Sequence, residues 1–175
     1  MAYTRATMRG FTLIELLVTL AIAAILLTVA VPNFITFVQN NRLASQANDL
    51  VTLLNLARSE AVKRNQTVTV CSSTNGTACA GSTSWEGGYI VFADTDGDGT
   101  VDAGEDVLQV RQALESSNTL RAGTQVRITY QSNGFSPGFG DTFRLCDVRG
   151  TASARAIVVS PQGRVSTSVG TASCP

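Results

Sequence analysis

Residues 16–41 carry no charge, and the densest apolar part, residues 16–31, is long enough to bury most of a helix in hydrocarbon. Beyond Pro32 the apolar positions continue at Phe34, Phe37, Val38, Leu43, Ala47, Leu50, Val51, Leu54, Ala57, Ala61 and Val62, mostly three or four apart with polar residues between them. That spacing predicts an amphipathic helix to about Arg64, able to kink at Pro32, with a stripe that faces a core. After Asn65 the period shortens. Runs at 67–71, 88–93, 107–110, 125–131, 142–146, 156–160 and 164–167 read as β-strands separated by turn-rich links. Their spacing predicts an antiparallel sheet of several strands on the helix, an α+β head without internal repeats.

Arg5 and Arg9 precede the apolar segment, so the positive-inside rule leaves residues 1–10 in the cytoplasm and sends the rest across the membrane. Glu15 is the anomaly. A secretory signal peptide and a plain signal anchor both have a basic start and an apolar middle, and neither accounts for a carboxylate at membrane depth.

The stretch RGFTLIELLVTLAIAAILLTVAVPNF, residues 9–34, resembles the class III signal of type IV pilins and type II secretion pseudopilins. The resemblance implies that a prepilin peptidase cuts between Gly10 and Phe11 and methylates the new amine of Phe11. Glu15, fifth in the mature chain, would then pair with the Phe11 amine of a neighbouring subunit as helices bundle into a filament. Two opposite charges satisfy one another in a low-dielectric filament core, where either alone is costly. Farther along, NLARSEAVKRNQTVTVC before WEGGYIVFADTDGDGTVDAGEDVL resembles the GspH/FimT branch, which has a long helix followed by a β-rich head. The type IV pilin-like fold is therefore expected, with a leader at 1–10, a membrane and filament-core half-helix at 11–32, an amphipathic half at 33–64 and a β head at 65–175. The implied partners are other pilins or pseudopilins, prepilin peptidase and the bacterial inner membrane. The head would sit in the periplasm before the subunit enters a pilus or pseudopilus. The resemblance implies a minor pilin of a type IV pilus that helps prime assembly or lies near the tip; the alternatives are an H-type minor pseudopilin of type II secretion and a DNA-binding minor pilin for natural transformation.

Net charge is zero and histidine is absent, so nothing at the whole-chain level requires an anionic partner. Cys71, Cys79, Cys146 and Cys174 fit no CxxC spacing and read as structural disulfides outside the cytoplasm. Of the three possible connectivities, Cys71 with Cys79 and Cys146 with Cys174 is favoured. The first would close a short Gly/Ser/Thr-rich loop and the second would tether the C-terminus. With no histidine base and no phosphate loop between strand and helix, catalysis is not expected.

DTDGDGTVDAGE, residues 94–105, fits a twelve-residue calcium loop. Asp94, Asp96, Asp98, Thr100, Asp102 and Glu105 stand at positions one, three, five, seven, nine and twelve, and Gly99 stands at six. Alternating carboxylates can converge on a hard cation that takes six to eight oxygens. The flanks are strand-like where a calcium helix-loop-helix has helices, and Asp/Gly runs also make polar turns without metal, so Ca²⁺ is a possible cofactor and no other is implied.

After residue 106 seven arginines stand against Glu115, Asp141 and Asp147. Arg144, Arg149, Arg155 and Arg164 would attract phosphates if they gathered on one face; otherwise they are a solvated surface. Certain FimT-type minor pilins take up DNA and carry a C-terminal Gly-Arg-x-Arg motif. Gly163 and Arg164 match it, and Ser166 stands where the second arginine belongs.

Overall fold

The computed structural model describes residues 10–115 and 117–174, so Arg5 and Arg9 lie outside the described residues. Helix α1 spans Leu13–Arg64. Its start is capped by the Thr12 hydroxyl, which accepts the Glu15 N–H at 3.2 Å. Its end is set by Asn65, whose φ of 54° is left-handed. The Asn65 N–H reaches the Val62 carbonyl at 3.3 Å and the Gln66 N–H reaches Ala61 at 3.2 Å, the paired bonds of a Schellman cap. In the last turn Glu60 is bridged by Arg64 at 2.7 Å and Lys63 at 3.3 Å. These bonds, Arg64 first, hold the Glu60 carboxyl below its usual range.

The chain divides into two compact units between Gln39 and Asn40. In the first, every residue from Gly10 to Val38 is exposed, which leaves an apolar rod without a protein cover. Polar side chains on the rod turn back onto it. Thr19 and Thr28 donate to carbonyls three residues earlier, and Asn33 and Thr36 to carbonyls four residues earlier. Hydroxyl and amide groups satisfied this way can enter hydrocarbon without losing a partner.

In the second unit the strands are β1 (Val68–Ser72), β2 (Gly88–Ala93), β3 (Val107–Gln112), β4 (Thr119–Arg121), β5 (Arg127–Tyr130), β6 (Asp141–Cys146), β7 (Arg155–Val159) and β8 (Val165–Val169). All pairs are antiparallel. The α+β class stands, but the single expected sheet is two four-stranded sheets, ordered β3-β2-β1-β5 and β4-β6-β7-β8. The division falls between β5, which pairs back with β1, and β6, which pairs with β7 and with β4, a strand too short to read from the sequence.

Helix residues Leu43, Ala47, Leu50, Leu53, Leu54, Ala57 and Ala61 recur at helical spacing and meet the inward faces of both sheets in one core. Val70, Tyr89, Val91, Ile128 and Tyr130 come from the first sheet, and Leu120, Phe143, Leu145, Ile157 and Val159 from the second. Trp85 is fully buried, its ring edge-on to Phe143 at 4.8 Å. Strands β1 and β2 are buried on both faces. Val101 of the acidic loop and the Cys71–Cys79 bridge pack on Ile90 and Phe92 on the side away from the helix. Cys146 is bonded to Cys174, and Ala154, Ala156 and Ala172 pack around it.

Candidate functional site

Gly10 and Phe11 lead into the rod, with Phe11 83% exposed. Glu15 is exposed in the first turn of α1, and among the described residues no cationic side chain pairs with it. α1 is the described helix that is long and apolar enough to cross a membrane. A single carboxylate on such a surface is stable in hydrocarbon only beside a positive group, which another chain can supply.

The acidic loop joins β2 to β3, and so is entered and left by strands. Carboxylate oxygens of Asp94, Asp96 and Asp98 all lie within 4.8 Å of one another. Asp94 is fully buried; it accepts from the Thr69 hydroxyl at 2.5 Å and from the Gly99 N–H at 3.3 Å. Asp96 accepts the Asp98 N–H and Asp98 accepts the Thr100 N–H, which winds the loop inward. Glu105 closes it, taking the Thr95 N–H at 2.6 Å and the Asp102 N–H at 3.1 Å. The three aspartates fit a small cation, whereas both Glu105 oxygens are held by backbone. The Arg127 guanidinium lies over the Phe139 ring at 5.6 Å and donates to the Asp98 carbonyl beside Gly99. That cation is absent from the sequence pattern, since Arg127 begins β5.

The four arginines are not gathered. Arg144 on β6 stands opposite Ala156, while Arg155 stands opposite Leu145, so the two project from opposite faces of the sheet. Arg149 is tied to Asp147 at 2.7 Å and to the Asn40 side chain at 2.8 Å. Arg164 lies beyond the far end of β7 from Arg155, in the turn before β8. There it lines a cleft of about 450 Å³ with Arg58, Phe135, Ser160 and Gln162. Phe135 is 48% exposed, and among the described residues neither Arg58 nor Arg164 forms an ion pair. Sequence reading misses this site because Arg58 belongs to the helix and Phe135 to a loop far along the chain. The exposed Phe135 in a Gly/Ser/Pro-rich turn was the available signal.

Residues 46–163 match the family model described as type II transport protein GspH, and residues 5–31 match the prokaryotic N-terminal methylation motif. The chain belongs to the GspH family. This GspH-family protein is 37% identical over 102 residues to the pilin-like protein PilA1 of Thermus thermophilus, a match that spans 57% of each chain. Its fold is similar to that of the type IV minor pilin FimU of Pseudomonas aeruginosa. In one FimU crystal form the TM-score is 0.62 at 22% identity, covering 79% of this chain and 96% of FimU. In a second form it is 0.56 at 20% identity, covering 75% and 96%. The GspH-family protein thus combines the family's match over 46–163 and an N-terminal methylation motif with a fold similar to that of a type IV minor pilin.

Proposed function

We propose that this protein is a minor pilin of a type IV pilus, held in the bacterial inner membrane with its head in the periplasm. Prepilin peptidase releases residues 1–10 and methylates Phe11. The mature chain then enters a filament, where it primes assembly or lies near the tip. The observation that supports this reading is the lone carboxylate of Glu15 on a rod exposed from Gly10 to Val38. Residues 11–32 would pack in the filament core, residues 33–64 would carry the head, and residues 65–175 would be displayed. The test is a chromosomal deletion scored for sheared surface pili and for type II secretion. Loss of pili with intact secretion is expected; lost secretion with normal pili would assign the chain to a pseudopilus.

The Arg58–Arg164 cleft favours a second reading, DNA capture by the displayed head. Two unpaired guanidiniums beside an exposed phenyl ring can hold phosphate and stack a base. Full-length protein in neutral detergent should bind DNA with a steep salt dependence, and Arg58→Gln and Arg164→Gln should each weaken it by about tenfold. Binding that both variants leave unchanged would remove the reading.

The acidic loop would take calcium through Asp94, Asp96 and Asp98, with Thr100 and Asp102 adding oxygens and Glu105 joining only as it gives up its bonds to the Thr95 and Asp102 N–H groups. The supporting observation is that Asp94 is fully buried and forms no ion pair among the described residues, leaving a desolvated carboxylate for which a cation would compensate. Calcium should raise Tm by mass action and Asp96→Asn should abolish the rise. An unchanged Tm at millimolar calcium would exclude the site.

A further inference from the structure

A separate cleft of about 320 Å³ lies where helix residues 42–49 approach the end of β3, and it shares no residue with the Arg58 cleft or the acidic loop. Arg42, Ser45, Gln46 and Asp49 line one side, and Tyr89 and Arg111 line the other.

Tyr89 is 1% exposed, its ring against Trp85 in the core, and it lines the cleft with its hydroxyl in the field of Asp49 and Arg111. Among the described residues that hydroxyl has no hydrogen-bond partner. Arg111 lies beside it with its Nε buried and also unpartnered. The nearest carboxylate oxygen to Arg111, on Asp49, is 3.7 Å from the guanidinium, beyond hydrogen-bond reach. Arg42 forms no ion pair among the described residues. The wall between them is already saturated, since the Gln46 amide donates to the Glu115 carbonyl at 3.2 Å and accepts from Asn118 at 2.7 Å.

Burial first, then the charge of Asp49, pushes the Tyr89 hydroxyl up to about 12, so at neutral pH it remains a donor. The Tyr89 hydroxyl and the buried Arg111 Nε thus point to an acceptor that no described residue supplies, and the exposed Arg42 adds a second positive charge at the rim. A buried donor left unmet, as the Arg111 Nε is, is costly, and a bound acceptor group removes that cost. We propose that this cleft is an oxyanion-binding subsite that takes one carboxylate or phosphate group, held by the Tyr89 hydroxyl and the Arg42 and Arg111 guanidiniums. Asp49 and Glu115 also line the cleft, so that with two arginines it takes a single anionic group.

The experiment is thermal unfolding of the full chain in neutral detergent, with inorganic phosphate or acetate added against sodium chloride of matched ionic strength. A saturable rise in Tm with phosphate alone identifies a phosphate subsite, and a rise with acetate as well identifies a carboxylate subsite. In either case Tyr89→Phe, which keeps the ring in place, and Arg42→Gln, on the exposed side of the helix, each weaken half-saturation by tenfold or more. Chloride-matched Tm values of the variants report whether they fold. No anion-specific rise, or a rise that both variants retain in full, overturns the proposal.

Discussion

The hydroxyl of Thr69 donates a 2.5 Å hydrogen bond to the carboxylate of Asp94, and neither group is exposed to solvent. Because the Thr69 proton is committed to Asp94, the 2.7 Å contact between Thr69 and Thr129 must be donated by Thr129. A buried chain of hydroxyls therefore anchors the first residue of the acidic loop to β1 and β5. Thr69→Val keeps the shape and removes the donor, so it should cost about 1–3 kcal/mol in urea unfolding, the usual penalty for orphaning a buried acceptor.

Gly99 and Gly97 share a φ of +79°, yet their surroundings differ. A Cβ at Gly97 meets nothing within 4 Å, whereas one at Gly99 runs into the Arg127 guanidinium. Gly97→Ala should cost about 1 kcal/mol for the left-handed backbone alone. Gly99→Ala should cost roughly 1–3 kcal/mol more, because Arg127 must leave the loop. Equal losses in denaturant titrations would show that Arg127 does not hold the loop.

The Tyr130 hydroxyl is buried without a partner, and burial raises its pKa far above the usual 10.0. Tyr130→Phe should be neutral or stabilising by about 1 kcal/mol at pH 7. At alkaline pH the sign follows from linkage. Between pH 10 and the folded-state pKa values of Tyr89 and Tyr130, the unfolded chain has lost protons that the folded chain retains. Stability is therefore flat below pH 10 and falls above it, by at most about 1.4 kcal/mol per pH unit for each tyrosine. Tyr130→Phe should flatten the fall over pH 10–11 in urea titrations.

The disulfides close loops of unequal length. Cys146 and Cys174 are 28 residues apart and Cys71 and Cys79 are 8 apart. On the chain-entropy argument, removing the longer loop should cost about 3.6 kcal/mol and the shorter about 2.5 kcal/mol. Paired Cys→Ser variants compared by thermal unfolding should show the C-terminal pair losing more Tm.

Much of the architecture was legible because it is local. The stripe from Leu43 to Ala61 has helical spacing, and it is the stripe that α1 buries. The β runs at 88–93 and 142–146 coincide with β2 and β6. What was not legible depends on pairing at long range. Thr119–Arg121 is three residues of mixed polarity, and only its register with Arg144–Cys146 makes it a strand, the edge of the second sheet. Arginine enrichment after residue 106 is a property of composition, and the alternation of side chains along β6 and β7 sends Arg144 and Arg155 to opposite faces. Arg58 and Tyr89 were read as helix and strand positions, since nothing in their neighbours reveals the clefts they line.

The most direct test of filament entry through the N-terminal helix is the partition of a Glu15→Ala chain between membrane and sheared filaments, measured by quantitative immunoblot. On the proposed pairing the substitution would leave the Phe11 amine of a neighbour without its carboxylate, and loss of one partner of a buried pair costs about 3–5 kcal/mol. The Glu15→Ala chain should accumulate in the membrane and fall at least tenfold in the filament fraction. Normal incorporation would contradict the pairing and the assembly role of the helix.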